Sequence, residues 1–224
     1  MKLLILAVAP VMIIIAYIYL KDKFEKEPIK LLAINFILGA TVSVVLTFLL
    51  SILASKIIVS SNSKNILQVF LNAFVTVALV EEFSKYIIVR FYAQRNKEFN
   101  EPFDGIVYAV IVSMGFAALE NVLYVFQYGA ATGITRALTA VPAHATFGIL
   151  MGYFMGKAKF SKNRILLNFT GLFVATIFHG AYDFFLFINF IPGIAIGAFV
   201  SLIIGLFLAR KAIKIHQDNS VFKI

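Results

Sequence analysis

The stretch that decides the fold is ILQVFLNAFVTVALVEEFSKYIIVRFYA, from Ile66 to Ala93, in which Glu81, Glu82 and Lys85 interrupt a long apolar run. About 20 apolar residues in a helix are enough to span roughly 30 Å of hydrocarbon. An ionisable group near the bilayer centre costs roughly 2.5 to 3.5 kcal/mol, so three of them in one span require partners. The charged group therefore predicts a functional site inside a membrane domain.

The composition of the whole chain predicts the same class of protein. Of its 224 residues, 61% are hydrophobic and 14% are charged, and the mean hydropathy is +0.94. Because apolar stretches recur along the chain, we expect an all-α polytopic bundle in which residues 1–224 form a single integral membrane domain. Cysteine is absent, so there is neither a disulfide framework nor a thiol nucleophile. The seven expected spans are residues 3–20, 31–55, 66–93, 105–128, 139–157, 165–189 and 193–209.

The basic residues predict the orientation of these spans. Fifteen of the 20 Lys and Arg residues lie in the C-terminal tail and in the connections that follow spans one, three and five. The other side of the membrane has only Lys2, Lys56, Lys64 and Arg136. Since short cytoplasmic loops are enriched in Lys and Arg, we expect the N-terminus outside and the C-terminus in the cytoplasm. This distribution accounts for the net charge of +9 without a nucleic acid partner. The expected surroundings are instead the lipid bilayer of a cell membrane.

Acids, bases and histidines in the interiors of the predicted spans are confined to spans three to six. In lipid such groups must face one another or a wet cavity. Residues 66–189 are therefore expected to form the active-site core, with the other three spans at the periphery. The candidate residues are Glu81, Glu82 and Lys85 on span three, Glu120 and Asn121 on span four, His144 on span five, and His179 and Asp183 on span six.

Helical spacing groups several of these residues. Glu81 and Lys85 are four apart, as are His179 and Asp183, so each pair shares one helix face. A carboxylate one turn from a histidine can fix the tautomer and orientation of the imidazole. A glutamate near a cation in a low dielectric can be tuned as a general base.

Five sequence blocks in order resemble the PrsW family of membrane proteases. They are EEFSK (Glu81 to Lys85), EPFDGIVYA (Glu101 to Ala109), GFAALEN (Gly115 to Asn121), PAHATFG (Pro142 to Gly148) and HGAYD (His179 to Asp183). More distantly the pattern is similar to that of the CAAX prenyl endopeptidase and bacteriocin-processing superfamily. Glu120 stands where that superfamily has a histidine. The PrsW pattern departs from the superfamily in the same way.

The resemblance implies peptide-bond hydrolysis within or beside a bacterial plasma membrane. The substrate it implies is a single-span membrane protein such as an anti-sigma factor, cut at site 1. Carried over to this sequence, it makes Glu81 or Glu82 the base that activates water, with Glu81 preferred because it shares a face with Lys85. His179 is then the oxyanion or water-orienting group and Asp183 its support. Glu120 and His144 complete the site, and Lys85 and Asn121 are supporting residues.

Other functions remain open at this stage. Metal-free glutamate catalysis is preferred, and the alternative is a zinc site built from His144, His179 and either Glu120 or Asp183. A proton- or ion-coupled transporter also buries such groups, although the sequence contains no convincing internal repeat. A relative that binds membrane proteins without cutting them is a third possibility.

Simple structural roles are expected for some polar residues. Asp104 stands just before span four, where a negative side chain favours a helix N-terminus. Asn121 is equally well explained by an interhelical hydrogen bond. His216, in the polar tail, is expected to be a solvated surface residue.

A count of residues along each span estimates the depth of the site. Glu120, His144 and Asp183 fall in the predicted outer half of the membrane, whereas Glu81 counts to somewhat past the midplane on the cytoplasmic side, at 1.5 Å per residue. We expect tilt, or a later start to span three, to absorb this difference. The expected cavity opens laterally or outward.

Overall fold

Long apolar helices make up most of the structure that is described for this protein. The computed structural model describes residues 1–57 and 64–223, which are predominantly helical and contain no β-strand. Seven helical segments within these ranges are long and apolar enough to cross a membrane, which confirms the predicted fold class. The α-helices are α1 (Lys2–Lys21), α2 (Ile29–Leu38), α3 (Val44–Ile57), α4 (Ile66–Leu71), α5 (Val80–Phe91), α6 (Pro102–Tyr128), α7 (Ala130–Leu138), α8 (Ala140–Lys159), α9 (Arg164–Phe187) and α10 (Ile196–Asp218).

Two of these helices depart from the expected spans. Helix α7 lies in the predicted connection between spans four and five and leads directly into α8. Helix α10 ends at Asp218, nine residues beyond the expected end at residue 209. The expectation of a solvated His216 is wrong, because its side chain is buried and its Nε2 lies 3.0 Å from the carbonyl oxygen of Tyr153. Packing against α8 thus keeps the polar end of α10 helical.

The third span contains a π-helical segment, Asn72–Leu79, between α4 and α5. The start of this span at Ile66 is as expected, so a later start does not explain how Glu81 reaches the level of its partners. A π turn contains more residues than an α turn, so it advances less along the axis per residue and rotates the residues that follow. The π segment thus changes both the depth and the facing of Glu81 and Glu82.

A second π segment, Gly39–Ser43, joins α2 to α3 beside the same part of α5. The Ser84 hydroxyl on α5 lies 2.8 Å from the Ser43 hydroxyl and 2.7 Å from the Thr47 hydroxyl. These hydrogen bonds connect the second span to the helix that carries Glu81 and Glu82.

Helices α6 and α8 form the buried centre of the bundle, where their backbones approach closely through glycine. A Cβ atom on Gly105 would lie 2.4 Å from the backbone nitrogen of Gly156, and one on Gly152 would lie 2.3 Å from the carbonyl oxygen of Gly105. Small residues at such crossings let membrane helices pack at short distance. The two central helices therefore hold Glu120 and His144 in a rigid relative position.

The N-terminus of α6 is closed by a capping box. The Asp104 carboxylate accepts hydrogen bonds from the backbone N–H groups of Asn100, at 2.7 Å, and Glu101, at 2.8 Å. Pro102 occupies the first turn, where its missing N–H leaves no donor unsatisfied. The helix-terminal role expected for Asp104 is confirmed.

Candidate active site

Lys85 lies at the centre of a buried ion cluster on α5. Its Nζ lies 2.7 Å from Oε1 of Glu82 and 3.5 Å from Oε2 of Glu81. The side chains of Lys85 and Glu82 are 1% and 0% exposed, whereas that of Glu81 is 13% exposed. The closest partner of Lys85 is thus Glu82 rather than Glu81, and Glu81 is the more accessible carboxylate.

His179 on α9 is held by a carboxylate at each ring nitrogen. Its Nδ1 lies 2.9 Å from Oε1 of Glu82, and its Nε2 lies 3.3 Å from Oδ2 of Asp183. The same Nε2 is 4.0 Å from Oε2 of Glu81. The His179–Asp183 pairing that the sequence spacing predicts is present, and Glu82 adds a second constraint from another helix.

His144 on α8 connects the cluster to Glu120 on α6. Its Nδ1 lies 3.3 Å from Nζ of Lys85, and its Nε2 lies 2.9 Å from Oε2 of Glu120. An ammonium group can only donate, so Nδ1 of His144 accepts and Nε2 carries the proton donated to Glu120. Glu120 thereby selects one tautomer of this histidine.

Arg136, on α7, is the site residue that the sequence analysis missed. Its Nη2 donates to Oε2 of Glu120 at 2.7 Å, and its Nε donates to Oδ1 of Asn121 at 2.6 Å. Asn121 also donates to the carbonyl oxygen of Ala7 on α1 at 2.9 Å, so it makes the interhelical hydrogen bonds considered for it. The only signal in the sequence was that Arg136 is one of the four basic residues predicted to lie on the outer side of the membrane.

Aromatic rings surround the charged groups. Nζ of Lys85 lies 4.3 Å from the centroid of the Phe116 ring, an arrangement that favours the cationic form of the lysine. The Phe147 ring stacks on His179 with centroids 4.8 Å apart and planes inclined at 16°. Both rings pack directly against the charged groups, and the stacking on Phe147 fixes the plane of His179.

The exposed fractions of the side chains indicate from which end the site is reached. Glu120 is 21% exposed and Arg136 is 14% exposed, and Asp183 is 13% exposed. Glu82, Lys85, His144 and His179 are buried beneath them. The cluster therefore communicates with its surroundings at the end of α6 that adjoins α7.

The donor atoms also fit a transition metal. Glu81, Glu82, His144 and His179 each offer one ligand atom, and these atoms lie within 4.8 Å of one another. Oε2 of Glu81 and Oε2 of Glu82 are buried without a hydrogen-bond partner among the described residues, so both are available as ligands. Two imidazoles and two carboxylates are donors that suit zinc. The carboxylates in this set are Glu81 and Glu82 rather than Glu120 or Asp183, which contact Nε2 of the two histidines instead.

Comparison with known proteins identifies sequence relatives along most of the chain. Residues 27–209 match the family described as PrsW family intramembrane metalloprotease. Protease PrsW of Geobacillus kaustophilus is 40% identical over 180 residues, which cover 80% of this chain and 77% of that protein. Protease PrsW of Bacillus subtilis is 34% identical over 181 residues, covering 80% of each chain. Protease PrsW of Clostridioides difficile is 34% identical over 197 residues, covering 85% of this chain and 81% of that protein. No solved structure matches the chain.

Proposed function

The chain belongs to the PrsW family of intramembrane proteases, and on that premise we propose that it hydrolyses its substrate with a water molecule activated by Glu81. The protein is a multi-pass membrane protease. The observation that carries the proposed role is the position of Glu81, whose partly exposed side chain brings its carboxylate beside both Lys85 and His179. Glu82 is fully buried and already contacts both of these residues.

A general base needs an ionised carboxylate with an oxygen free to take a proton. Oε2 of Glu81 has no hydrogen-bond partner among the described residues, and Lys85 lies 3.5 Å from it. The ammonium favours the ionised carboxylate. Positioned bases of this kind contribute typically about 10²- to 10⁴-fold to a reaction rate. In this proposal Glu81 takes the proton from water. Glu82 holds Lys85 and His179 in position.

His179 is the proposed group that orients the water or stabilises the oxyanion. Its Nε2 lies between Glu81 and Asp183, on the side of the ring away from Glu82. A donor fixed in advance at the place where negative charge develops stabilises the transition state without reorganisation. Asp183 and the stacked ring of Phe147 would keep the imidazole in that orientation.

At the accessible end of the site, Arg136 and Glu120 are proposed to hold His144 in place, and His144 in turn contacts Lys85. Glu120 fixes the tautomer of His144, and Arg136 in turn binds Glu120. A metal held by Glu81, Glu82, His144 and His179 would supply Lewis-acid polarisation of the scissile carbonyl and of a bound water.

The proposed substrate is a single-span membrane protein such as an anti-sigma factor, cleaved near its extracytoplasmic end. This placement rests on the accessible end of the cluster, beside α7, which is outside in the topology predicted from the basic residues. A scissile bond at the cytoplasmic face of the substrate would contradict it.

The test is cleavage of candidate single-span anti-sigma factors in proteoliposomes by the wild type, Glu81→Gln, Glu82→Gln and His179→Ala. Glu98→Gln is a matched control, because Glu98 lies at the surface and its one ion pair among the described residues is with Lys97 at 3.7 Å. We expect loss of cleavage in the three site variants and normal cleavage in the control. Equal cleavage by all of them would overturn the catalytic assignment.

Two further arms of the experiment separate the alternatives. Treatment with a chelator, followed by return of Zn²⁺, tests whether the carboxylates and imidazoles act with a metal. Proton-coupled flux in the same liposomes without proteolysis would support a transporter instead. Binding of the substrate without cleavage by the wild type would indicate a non-catalytic relative.

A further inference from the structure

A second cluster of ionisable groups lies at the opposite end of α6 and consists entirely of acids. Glu25 and Glu27, in the connection between α1 and α2, face Asp104 in the first turn of α6, with one carboxylate oxygen from each within 4.8 Å of the others. Asp22 lies beside them and accepts a hydrogen bond from the backbone N–H of Glu27 at 3.3 Å. Residues distant in sequence thus bring their carboxylates to one point.

Within the part of the chain that the structure describes, no lysine or arginine forms an ion pair with this acidic cluster. The nearby Lys26 donates to the carbonyl oxygen of Tyr19 instead. Lys159 is likewise engaged, by the carbonyl oxygens of Gln94 and Asn96 at 2.6 and 3.0 Å.

Two of the three acids are buried and Glu25 is half-buried, and each has an oxygen without a hydrogen-bond partner among the described residues. Glu27 is 1% exposed and Asp104 is 0% exposed. Oε1 of Glu27, Oδ1 of Asp104 and Oε2 of Glu25 have no hydrogen-bond partner among the described residues. Their second oxygens include Oε2 of Glu27, bound by the Tyr108 hydroxyl, and Oδ2 of Asp104, bound by the capping N–H groups. The carboxyl groups of Glu27 and Asp104 lie within hydrogen-bonding reach of each other when one of them is protonated, and a bound cation would take the place of that proton.

The electrostatic consequence is an environment unfavourable to negative charge. Burial raises the pKa of Glu27, and the neighbouring Asp104 carboxylate raises it further. Burial also raises the pKa of Asp22 to about 6. Buried charges in proteins are generally paired or coordinate a metal ion.

We propose that Glu25, Glu27 and Asp104 bind a hard divalent cation, Mg²⁺ or Ca²⁺, that ties the α1–α2 connection to the start of α6. The donors are all carboxylate oxygens, which are the ligands that these two ions prefer. No imidazole or thiolate is in the set, so the site differs in chemistry from the His-containing cluster around Lys85. In the predicted topology it faces the cytoplasm.

The acidic cluster is separate from the candidate active site. Asp104 and Glu120 stand near opposite ends of α6, about 24 Å apart at 1.5 Å per residue. Occupancy of one site can therefore be tested without changing the residues of the other.

The experiment measures cation binding by the full-length protein, purified in detergent and stripped with a chelator. Thermal unfolding is followed as Mg²⁺, Ca²⁺ or Zn²⁺ is added, and Tb³⁺ serves as a luminescent probe of the site. Tyr108 touches Glu27, and the chain has no tryptophan, so tyrosine excitation should sensitise bound Tb³⁺. We expect a saturable rise of the unfolding midpoint with Mg²⁺ or Ca²⁺ and saturable Tb³⁺ emission that the same ion displaces.

Variants decide where the ion binds. Glu25→Gln changes the least buried ligand of the three and should raise the apparent Kd at least tenfold, whereas Glu98→Gln should leave it unchanged. Tyr108→Phe should reduce the Tb³⁺ emission while the stabilisation by Mg²⁺ or Ca²⁺ persists. Absence of a saturable response to both ions, or an equal response in Glu25→Gln, would overturn the proposal. A response lost in Glu81→Gln but kept in Glu25→Gln would also overturn it, by placing the ion in the other cluster.

Discussion

The two charged clusters at the ends of α6 differ in how their charges are balanced. The cluster at the Glu120 end combines acids with Lys85, Arg136 and two histidines. The cluster at the Asp104 end contains carboxylates and no paired cation among the described residues. The first therefore balances most of its charge within the protein, whereas the second concentrates negative charge that a bound ion would neutralise.

The difference in composition has a consequence for mutation. Removing one member of a mixed cluster leaves an opposite charge buried and unpaired, which is strongly destabilising. Removing one member of an all-acid cluster relieves repulsion between like charges. The same Glu to Gln substitution should thus have opposite effects on stability at the two ends of one helix.

The largest expected effect is on catalysis by Glu81→Gln. The substitution keeps the shape of the side chain and removes its capacity to accept a proton, so the cleavage rate should fall about 10²- to 10⁴-fold. The measurement is the initial rate of substrate cleavage in proteoliposomes, with Glu98→Gln as the control. A rate within threefold of the wild type would exclude Glu81 as the base.

Glu82→Gln should produce the largest loss of stability. Glu82 is the nearest partner of Lys85 and also binds His179, and its side chain is fully buried. Loss of a buried partner of this kind costs about 3 to 5 kcal/mol. Thermal unfolding in detergent measures the change, and an unfolding midpoint equal to that of Glu81→Gln would contradict the distinct role of Glu82.

Asp183→Asn tests the orientation of His179. An asparagine occupies the same space but binds the imidazole more weakly, so cleavage should fall about 10- to 100-fold, as for other groups that orient a functional histidine. The readout is the rate of cleavage together with the unfolding midpoint. A fall in stability with an unchanged rate would assign Asp183 a purely structural role.

Arg136→Gln should have a smaller effect, because the pair that Arg136 forms with Glu120 is partly exposed. Allowing for screening by solvent, we expect the substitution to remove about 1 kcal/mol of transition-state stabilisation, so that the cleavage rate falls about fivefold. Glu120→Gln and the double variant complete a cycle that isolates the coupling between the two residues. Additive effects would show that Arg136 acts elsewhere.

The smallest expected effect is a gain of stability in Glu27→Gln when divalent cations are absent. The substitution removes one of the facing carboxylates and keeps an oxygen for the Tyr108 hydroxyl, so the gain should be about 1 kcal/mol. Thermal unfolding in chelator measures it. A loss of stability comparable to that of Glu82→Gln would remove the contrast between the two clusters.

Much of the fold and of the site could be predicted from the sequence. The π segment Asn72–Leu79 could not, and neither could the fact that Glu82 rather than Glu81 lies nearest to Lys85, since the spacing puts both glutamates within reach of it. The helical spacing of Glu81 and Lys85 assumes regular α turns and says nothing about which side of α5 faces α9. Glu81 and Glu82, which are adjacent in sequence, therefore have different surroundings, and only the packing of the helices distinguishes them.

The acidic cluster was also hidden in the sequence. Glu25 and Glu27 lie among lysines in a connection that the sequence predicts to be basic, and the position of Asp104 in the first turn of a helix accounts for it as a cap. Nothing in the spacing of residues 25, 27 and 104 indicates that they meet. Their contact depends on the connection between α1 and α2 folding back onto α6.

The sequence by itself determined the seven membrane spans and the identities of the main site residues. Hydropathy is a local property, and an ionisable side chain in hydrocarbon must have a partner. Only the tertiary structure decided which partners each residue finds on other helices, brought Arg136 to Glu120, and gathered the acids at the start of α6. The physical reason is that the pairing of side chains depends on the rotation and depth of each helix, which π turns and glycine-mediated contacts set after the spans have formed.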